Sequence, residues 1–506
     1  VYGQEMDEDV KNWYNGKGAG MHTDKAYKKL KKRKTQTVVV AVIDNGIDIE
    51  HEDLQGRIWT NTDEIAGNGI DDDNNGYVDD VHGWNYLGNK NGENGSAMRL
   101  ERTRILAKLM AKSETETLSA EESALMEKVK AEVDAERAKY EGYIGQMDML
   151  KPMIENVPAM VASKLGTDSY TVADIEKWIK DHPEDKDMMG LALSVTSGEL
   201  TVDVIDAQKK QIQGMLDTHH NVDFNGRAVV GDDPDDFSDL DYGNPDVEGP
   251  DAGHGTHVGG SICAVRGNGI GVDGVATDVL LMSLLVVPDG DEFDKDIARA
   301  IRYAVDNGAK IINMSFGKSY SPHAEEVYAA FEYADSKGVL CVHAAGNDSK
   351  DISKEPNFPT SNYEFQTKKL DHFITIGAST RFPKEKLAAT FSNYAQEEVD
   401  VFAPGHDIWS TVPQSDYAKY NGTSMACPMV AGVAALLKSN FPSLSMKEIK
   451  EIILSSAKSY KGKQQFKPGT KELVDFGTLS VTGGVVNVKS AVKACIKLEK
   501  AKAKSK

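Results

Sequence analysis

Runs rich in β-branched and aliphatic residues recur along the chain at Thr37–Ile43, Val279–Val287, Ala309–Met314, His372–Gly377 and Val399–Phe402, with another beginning at Val339. The first, apolar throughout from Val38 to Ile43, predicts a strand buried on both faces, and the others predict further strands. Between them the apolar residues change period. Phe293, Ile297, Ile301 and Ala304 fall on one helical face, and further helices are expected near Ala324–Ser336 and from about Met425 to Leu437. Strand and helix in alternation predict an α/β fold with a parallel sheet. The stretch from Ser443 to Cys495 reads as a helix plus a short hairpin, and the Lys-rich end from Lys497 as a frayed tail.

From about Met98 to Gln213 only the helical period remains. Ser119-Ala120-Glu121-Glu122 matches a capping box ahead of Leu125, Val129 and Val133. Amphipathic stretches follow at Tyr140, Tyr143, Met147, Leu150 and Ile154, then at Ile175, Trp178 and Ile179. The expected organisation is an N-terminal extension over 1–35, a sheet domain in two pieces over 36–96 and 223–495, an inserted all-α subdomain over 97–222, and a Lys-rich tail over 496–506.

Three of the predicted elements meet residues with chemical potential. The first strand ends in Asp44-Asn45-Gly46, at the carboxyl end where open α/β sheets place their ligands. Gly253-His254-Gly255-Thr256-His257 opens a helix, and Asn421-Gly422-Thr423-Ser424 precedes another in which Pro428 is tolerable only in the first turn. Alone, each is ordinary: a turn Asp, a structural His, an N-cap Ser. Together they supply Asp, His and Ser in the order Asp-His-Ser, which is one of three unrelated orders in which the same triad is built. On these motifs the chain resembles the subtilisin-like serine peptidases, or subtilases. The resemblance implies a three-layer parallel sheet flanked by helices, a catalytic triad of Asp44, His254 and Ser424, and a structural role for His257. Asn45 stands where the family usually has Ser or Thr, a change expected to touch a supporting hydrogen bond rather than the acid.

The resemblance implies further site residues. In Ala344-Ala345-Gly346-Asn347, the Asn347 amide takes the role of oxyanion donor. Ser315, Phe316 and Gly317 would pair with an extended substrate and wall the pocket for the residue before the scissile bond. Asn357, in Asn357-Phe358-Pro359, lies near the base of that pocket, where it implies a preference for mid-sized P1 residues.

The segment Asn68–Asp80 places oxygen ligands Asp71, Asp73 and Asn75 at alternate positions, Gly76 at the sixth and the Tyr77 carbonyl at the seventh, as in the first half of a calcium-binding loop. His82 holds the twelfth place, so Asp79 or Asp80 is expected to complete a structural calcium site. Asp53 matches a second family position whose carboxylate binds calcium with the loop at Arg266–Ile270.

Composition narrows the picture. A net charge of −21 argues against nucleic acid or an anionic membrane as partner, and no apolar run is long enough to span a bilayer. Four cysteines in 506 residues are no disulfide framework, with free thiols the default and a Cys263–Cys427 pair the one pairing considered. No signal sequence opens the chain, which for a subtilase implies a processed form and an exported location, periplasmic, cell-surface or extracellular. The expected function is hydrolysis of protein or peptide substrates by a serine endopeptidase. A dedicated processing or transpeptidating enzyme and a catalytically silent binding protein are the alternatives. About 210 residues separate Asp44 from His254, and the apolar faces in that interval point to self-association as a homo-oligomer.

Overall fold

The computed structural model describes residues 6–504. The chain forms two compact units, Val1–Ser96 with Arg227–Lys506, and Ala97–Gly226. It opens with α1 (Thr23–Leu30), β1 (Val38–Asp44) and the short β2 (Gly83–Asn85). The second unit holds α2 (Glu101–Thr115), α3 (Ala120–Leu165), α4 (Val172–Asp181), α5 (Lys186–Thr196) and α6 (Val202–Asp217). The first unit resumes with α7 (Gly253–Cys263), β3 (Val279–Leu285), α8 (Asp294–Asp306), β4 (Ile311–Met314), α9 (Ala324–Ser336), β5 (Leu340–Ala344), β6 (Phe373–Ser379) and β7 (Val401–Pro404). The hairpin β8 (Ile408–Val412) and β9 (Asp416–Tyr420) leads to α10 (Thr423–Asn440) and α11 (Met446–Ser455). The chain closes with β10 (Lys458–Ser459), β11 (Gln464–Phe466), β12 (Leu473–Asp475), β13 (Gly484–Val485) and α12 (Val488–Lys504).

Nine strands form one sheet in the order β10-β13-β7-β6-β5-β4-β1-β3-β2. All its pairings are parallel except β10 with β13. The double-sided burial predicted for β1 is explicit. Val38, Val40 and Val42 pack with Val258, Ile262 and the α10 residues Val430 and Ala434 on one face. Ala41 and Ile43 pack with Ile297 and Ile301 of α8 and Val327 and Phe331 of α9 on the other. The result is a three-layer α/β unit with a parallel sheet between two helical layers.

Register aligns the carboxyl ends. Asp44 lies opposite Leu285, Ile43 opposite Met314, and Met314 opposite His343. Because β3 and β4 lie on opposite sides of β1, the loops that follow them part above Asp44, making the crevice that open α/β sheets use for ligands. Helix α10 runs beneath this edge. It is buried on every side except at Ser424 and Lys438, so its one opening in the first turn is Ser424.

In the second unit, the Ser119 hydroxyl accepts the Glu122 N–H while the Glu122 carboxylate accepts the Ser119 N–H, so the capping box is formed. It starts the 46-residue α3, which carries Pro152 and Pro158 in its interior. Val157 and Val161 of α3 make a separate small core with Ile175 of α4 and Met189 and Ala192 of α5. None of the described helices is long and apolar enough to cross a membrane.

One local expectation is corrected. The Lys-rich end is helical to Lys504, because Val488, Ala491, Val492 and Cys495 bury one stripe of α12 and carry the helix onward; residues 505–506 lie outside the described part. The N-terminal stretch belongs to the core of the first unit, with Tyr14 and Met21 fully buried and the Tyr27 hydroxyl donating to the Val275 carbonyl at 2.9 Å. Within the acidic stretch Asp232–Asp251, Asp232 is interior, paired with Arg227 and Lys295, and Arg227 also pairs with Asp296. Burial works against the Asp232 charge, but these cations prevail and hold its carboxyl below the usual range.

Candidate active site

Asp44 ends β1 with its side chain 1 % exposed. Its Oδ1 accepts from His254 Nδ1 at 2.7 Å and from the Asn45 N–H at 2.8 Å. The close fit of α7 against β1 depends on small residues. A methyl on Gly255 would come within 2.1 Å of the Gly46 carbonyl, and one on Gly46 within 2.1 Å of the Glu248 carbonyl. Asn45 secures the same joint, since its Oδ1 accepts the Gly255 N–H at 2.8 Å. Burial pulls the His254 ring toward a lower pKa, but the charge and hydrogen bond of Asp44 outweigh it and raise the ring above its ordinary value of 6.5.

His257 is a different kind of histidine. Its ring is buried, stacked on Tyr420 at 4.4 Å, with Nε2 3.0 Å from the Ile408 carbonyl and 3.1 Å from that of Ala418. It ties α7 to the β8–β9 hairpin, and burial lowers its pKa to about 3.

Ser424 is the second residue of α10, at the positive end of the helix dipole. Its hydroxyl donates to the Ser315 carbonyl at 2.9 Å. Beside it, Asn347 Oδ1 accepts both the Thr423 N–H (2.8 Å) and the Thr423 hydroxyl (3.0 Å). That occupies the amide oxygen and leaves Nδ2 as the free end. A methyl on Gly422 would lie 3.6 Å from Asn347 Nδ2 and 3.6 Å from the Ser424 N. Both nitrogens thus border the same point beside Gly422, at the start of α10.

A cleft of about 480 Å³ is lined by His254, Asn45, Ser315, Phe316, Gly317, Val287 and Glu292 among others. Beyond Gly317, Lys318 and Phe358 exchange both main-chain hydrogen bonds. A methyl on Gly317 would meet Asn357 Oδ1 at 2.5 Å, and one on Gly346 would lie 3.3 Å from Asn357 atoms. The Asn357 amide therefore sits between Gly317 and Gly346. The Ser315 side chain itself faces Ser424 and Asn313 rather than the cleft.

A model of the subtilase family matches residues 35–139 and 151–477. The chain belongs to the subtilase family. This subtilase is 37% identical to a thermophilic serine proteinase of Bacillus sp. (strain AK1) over 241 residues, 47% of the chain and 54% of that relative. It is 37% identical over 206 residues to subtilisin DY of Bacillus licheniformis, covering 40% and 70% of the two chains. Against M-protease of Shouchella clausii (strain KSM-K16) the identity is 31% over 314 residues, 60% of the chain and 75% of the relative. The chain spans about half the length of the first of these relatives. A solved structure titled for subtilase cytotoxin SubAB assembly aligns at 27% identity and a TM-score of 0.41, covering 49% of the chain and 77% of the other.

The loop expected to bind calcium gathers a group of carboxylates other than the one its spacing suggests. The carboxylates of Glu64, Asp71 and Asp73 bring oxygens within 4.8 Å of one another. Glu64 was not singled out in the sequence, because it precedes the loop and nothing in the spacing points back to it. Asn75 keeps its place: its N–H bonds Asp71 and Asp73 and its amide bonds Asp73 and Asp80. Tyr77 follows, its ring in a cluster with Trp84, Tyr86 and Tyr303. Asp79 spends its carboxylate on the N–H groups of Asn68 and Gly69. Asp80 accepts from Asn61, Asn75 and Tyr303, and burial raises its carboxyl to about 6. Asp53 is buried and does reach the loop after α7, accepting from Asn268 Nδ2 at 2.7 Å and the Val272 N–H at 3.1 Å, with no second carboxylate grouped with it among the described residues. All four cysteines are free and buried. The Cys263–Cys427 pair is not formed, and Cys427 Sγ lies instead 3.3 Å from the Val342 carbonyl.

Proposed function

We propose that this subtilase is a serine endopeptidase acting through an acyl-enzyme. The observation that carries the reading is the placement of Asn347 Nδ2 and the Ser424 N–H beside the same point at Gly422, together with a His254 already bonded to a buried Asp44. In this mechanism the Ser424 hydroxyl turns from the Ser315 carbonyl to His254 Nε2, gives up its proton and attacks the substrate carbonyl. His254 returns the proton to the leaving amine and then activates water. Asp44 keeps Nδ1 protonated and stabilises the imidazolium. The two N–H donors hold the oxyanion in both tetrahedral intermediates.

Extended substrate pairs with the Ser315–Gly317 edge by main-chain hydrogen bonds. With the Asn357 amide at the base, the pocket suits P1 side chains of moderate size that tolerate a polar end. Strong selection for Arg or Lys in a P1 scan would overturn that part.

Calcium at the loop is also proposed. Glu64, Asp71 and Asp73 converge with no lysine or arginine paired to them among the described residues, a hard-oxygen donor set suited to Ca²⁺. When bound, the ion supplies structural cross-linking of the loop, with the Asn75 and Tyr77 oxygens as further donors. Self-association is proposed to rest on Tyr143, Met149 and Met153, all exposed on α3.

Labelling by a serine-directed fluorophosphonate tests the central reading, comparing the wild type with Ser424→Ala. Labelling that requires Ser424, with hydrolysis of casein, supports it. A folded wild type that neither labels nor hydrolyses peptides fits the silent binding protein, and product masses showing amine transfer in place of hydrolysis fit the transpeptidase.

A further inference from the structure

The carbonyl of Ser424 faces the position four residues on, from which a helix normally supplies an N–H. That residue is Pro428, within the first turns of α10. Proline has no N–H to donate, and its ring crowds the carbonyl four residues before it. The helix thus withholds its own hydrogen bond at the nucleophile, and an unpaired buried carbonyl there would be costly.

A substitute comes from outside the helix. The Ser315 hydroxyl, at the end of β4, donates to the Ser424 carbonyl at 2.9 Å. Asn313 Nδ2 donates to the Ser315 Oγ at 3.0 Å, which directs the Ser315 proton toward Ser424. Ser315 is 3% exposed and Asn313 is fully buried, so water does not compete for these bonds. The Ser424 hydroxyl returns a bond to the Ser315 carbonyl at 2.9 Å, and the two residues are doubly clasped.

We infer that Ser315 is a positioning residue whose hydroxyl replaces the helical donor that Pro428 removes, and thereby sets the backbone of Ser424. This rests on the peptidase reading above. The N–H and the Oγ of Ser424 both hang from that backbone, so a shift of a few tenths of an ångström misplaces nucleophile and oxyanion donor together. The inference also couples two residues far apart in the chain. Replacing Pro428 by alanine restores an N–H at the position the Ser424 carbonyl faces, and the Ser315 hydroxyl then becomes dispensable.

The test is steady-state hydrolysis of a chromogenic peptide by the full chain as wild type, S315A, P428A and S315A/P428A, with thermal unfolding of each. Wild-type turnover that is lost in S424A comes first, and its absence would defeat the peptidase reading without touching the positioning argument. Given that turnover, S315A is expected to lower kcat about tenfold at nearly constant KM, with the acid limb of the pH profile unmoved. The double variant is expected within about threefold of P428A alone. Wild-type kcat in S315A, or a deficit of the same size in the P428A background, overturns the inference. If S315A does not fold, the double variant decides: folded and active supports it, unfolded or equally impaired refutes it.

Discussion

At the Asp44–His254 pair, a single carboxylate sets the protonation of the imidazole that the proposed mechanism uses as its base. Its charge outweighs burial and raises the imidazole above 6.5, and the base works only when neutral. The acid limb of kcat/KM is therefore expected above about pH 6.5. Asp44→Asn is expected to move that limb down and lower kcat by about 10⁴-fold, as in other Ser-His-Asp enzymes; a variant with an unmoved limb would contradict the assignment. At Asn347, the oxygen is held by Thr423 and only the nitrogen end is free. Asn347→Ala is expected to cost about 10²–10³-fold in kcat with little change in KM, the magnitude known for the corresponding donor in subtilisin itself. Equal losses in kcat and KM would remove it from the oxyanion site. The pairing of Asp44 with His254 and the contact of Asn347 with Thr423 were legible in the sequence because each residue sits in an extended motif. Ser315 was legible only as a pocket wall, because the orphaned carbonyl that engages its hydroxyl belongs to Ser424, 109 positions away in the chain.

Among the elements, the buried helices and central strands were readable because both faces of each are apolar. The β8–β9 hairpin was not, since its alternation is short and partly polar, and its place is fixed by His257 reaching across from α7. His257 and His343 have pH consequences. Burial lowers the first to about 3 and the second, whose Nε2 lies 2.8 Å from the Phe316 carbonyl, to about 4. Both are neutral in the folded state at pH 5, whereas the unfolded chain takes up protons below about 6.5. Stability from these groups is complete above that value and is lost as pH falls toward 4. The loss is about 2 kcal/mol per group at pH 5. Urea unfolding at pH 7 and pH 5 should show it, and His343→Gln should shrink the difference by about 2 kcal/mol; an unchanged difference would show that His343 titrates normally.

For the molecule as a whole, the interval between Asp44 and His254 was readable as helical, but its carboxylate cluster only in part. The spacing in Asn68–Asp80 pointed to Asp71 and Asp73, yet Glu64 reaches the cluster from seven residues before Asp71. Bringing three carboxylates together is unfavourable without a cation. Millimolar calcium is expected to raise the melting temperature of the wild type by several degrees and to leave Glu64→Gln almost unaffected. A wild-type melting temperature indifferent to both calcium and chelation would dismiss the site.

The place of β1 in the sheet has a consequence for synthesis. It is the first sheet strand to leave the ribosome, yet its two neighbours begin at Val279 and Ile311. At about 5–20 residues per second, β1 waits roughly 12–47 s for the first of them. Throughout that time Val38–Ile43, apolar on both faces, has no partner strand. Helices α2–α6 make their contacts within a continuous stretch and can fold in the meantime, so a ribosome-bound chain halted just beyond Gly226 would display a finished helical unit alongside an unpaired, chaperone-binding strand.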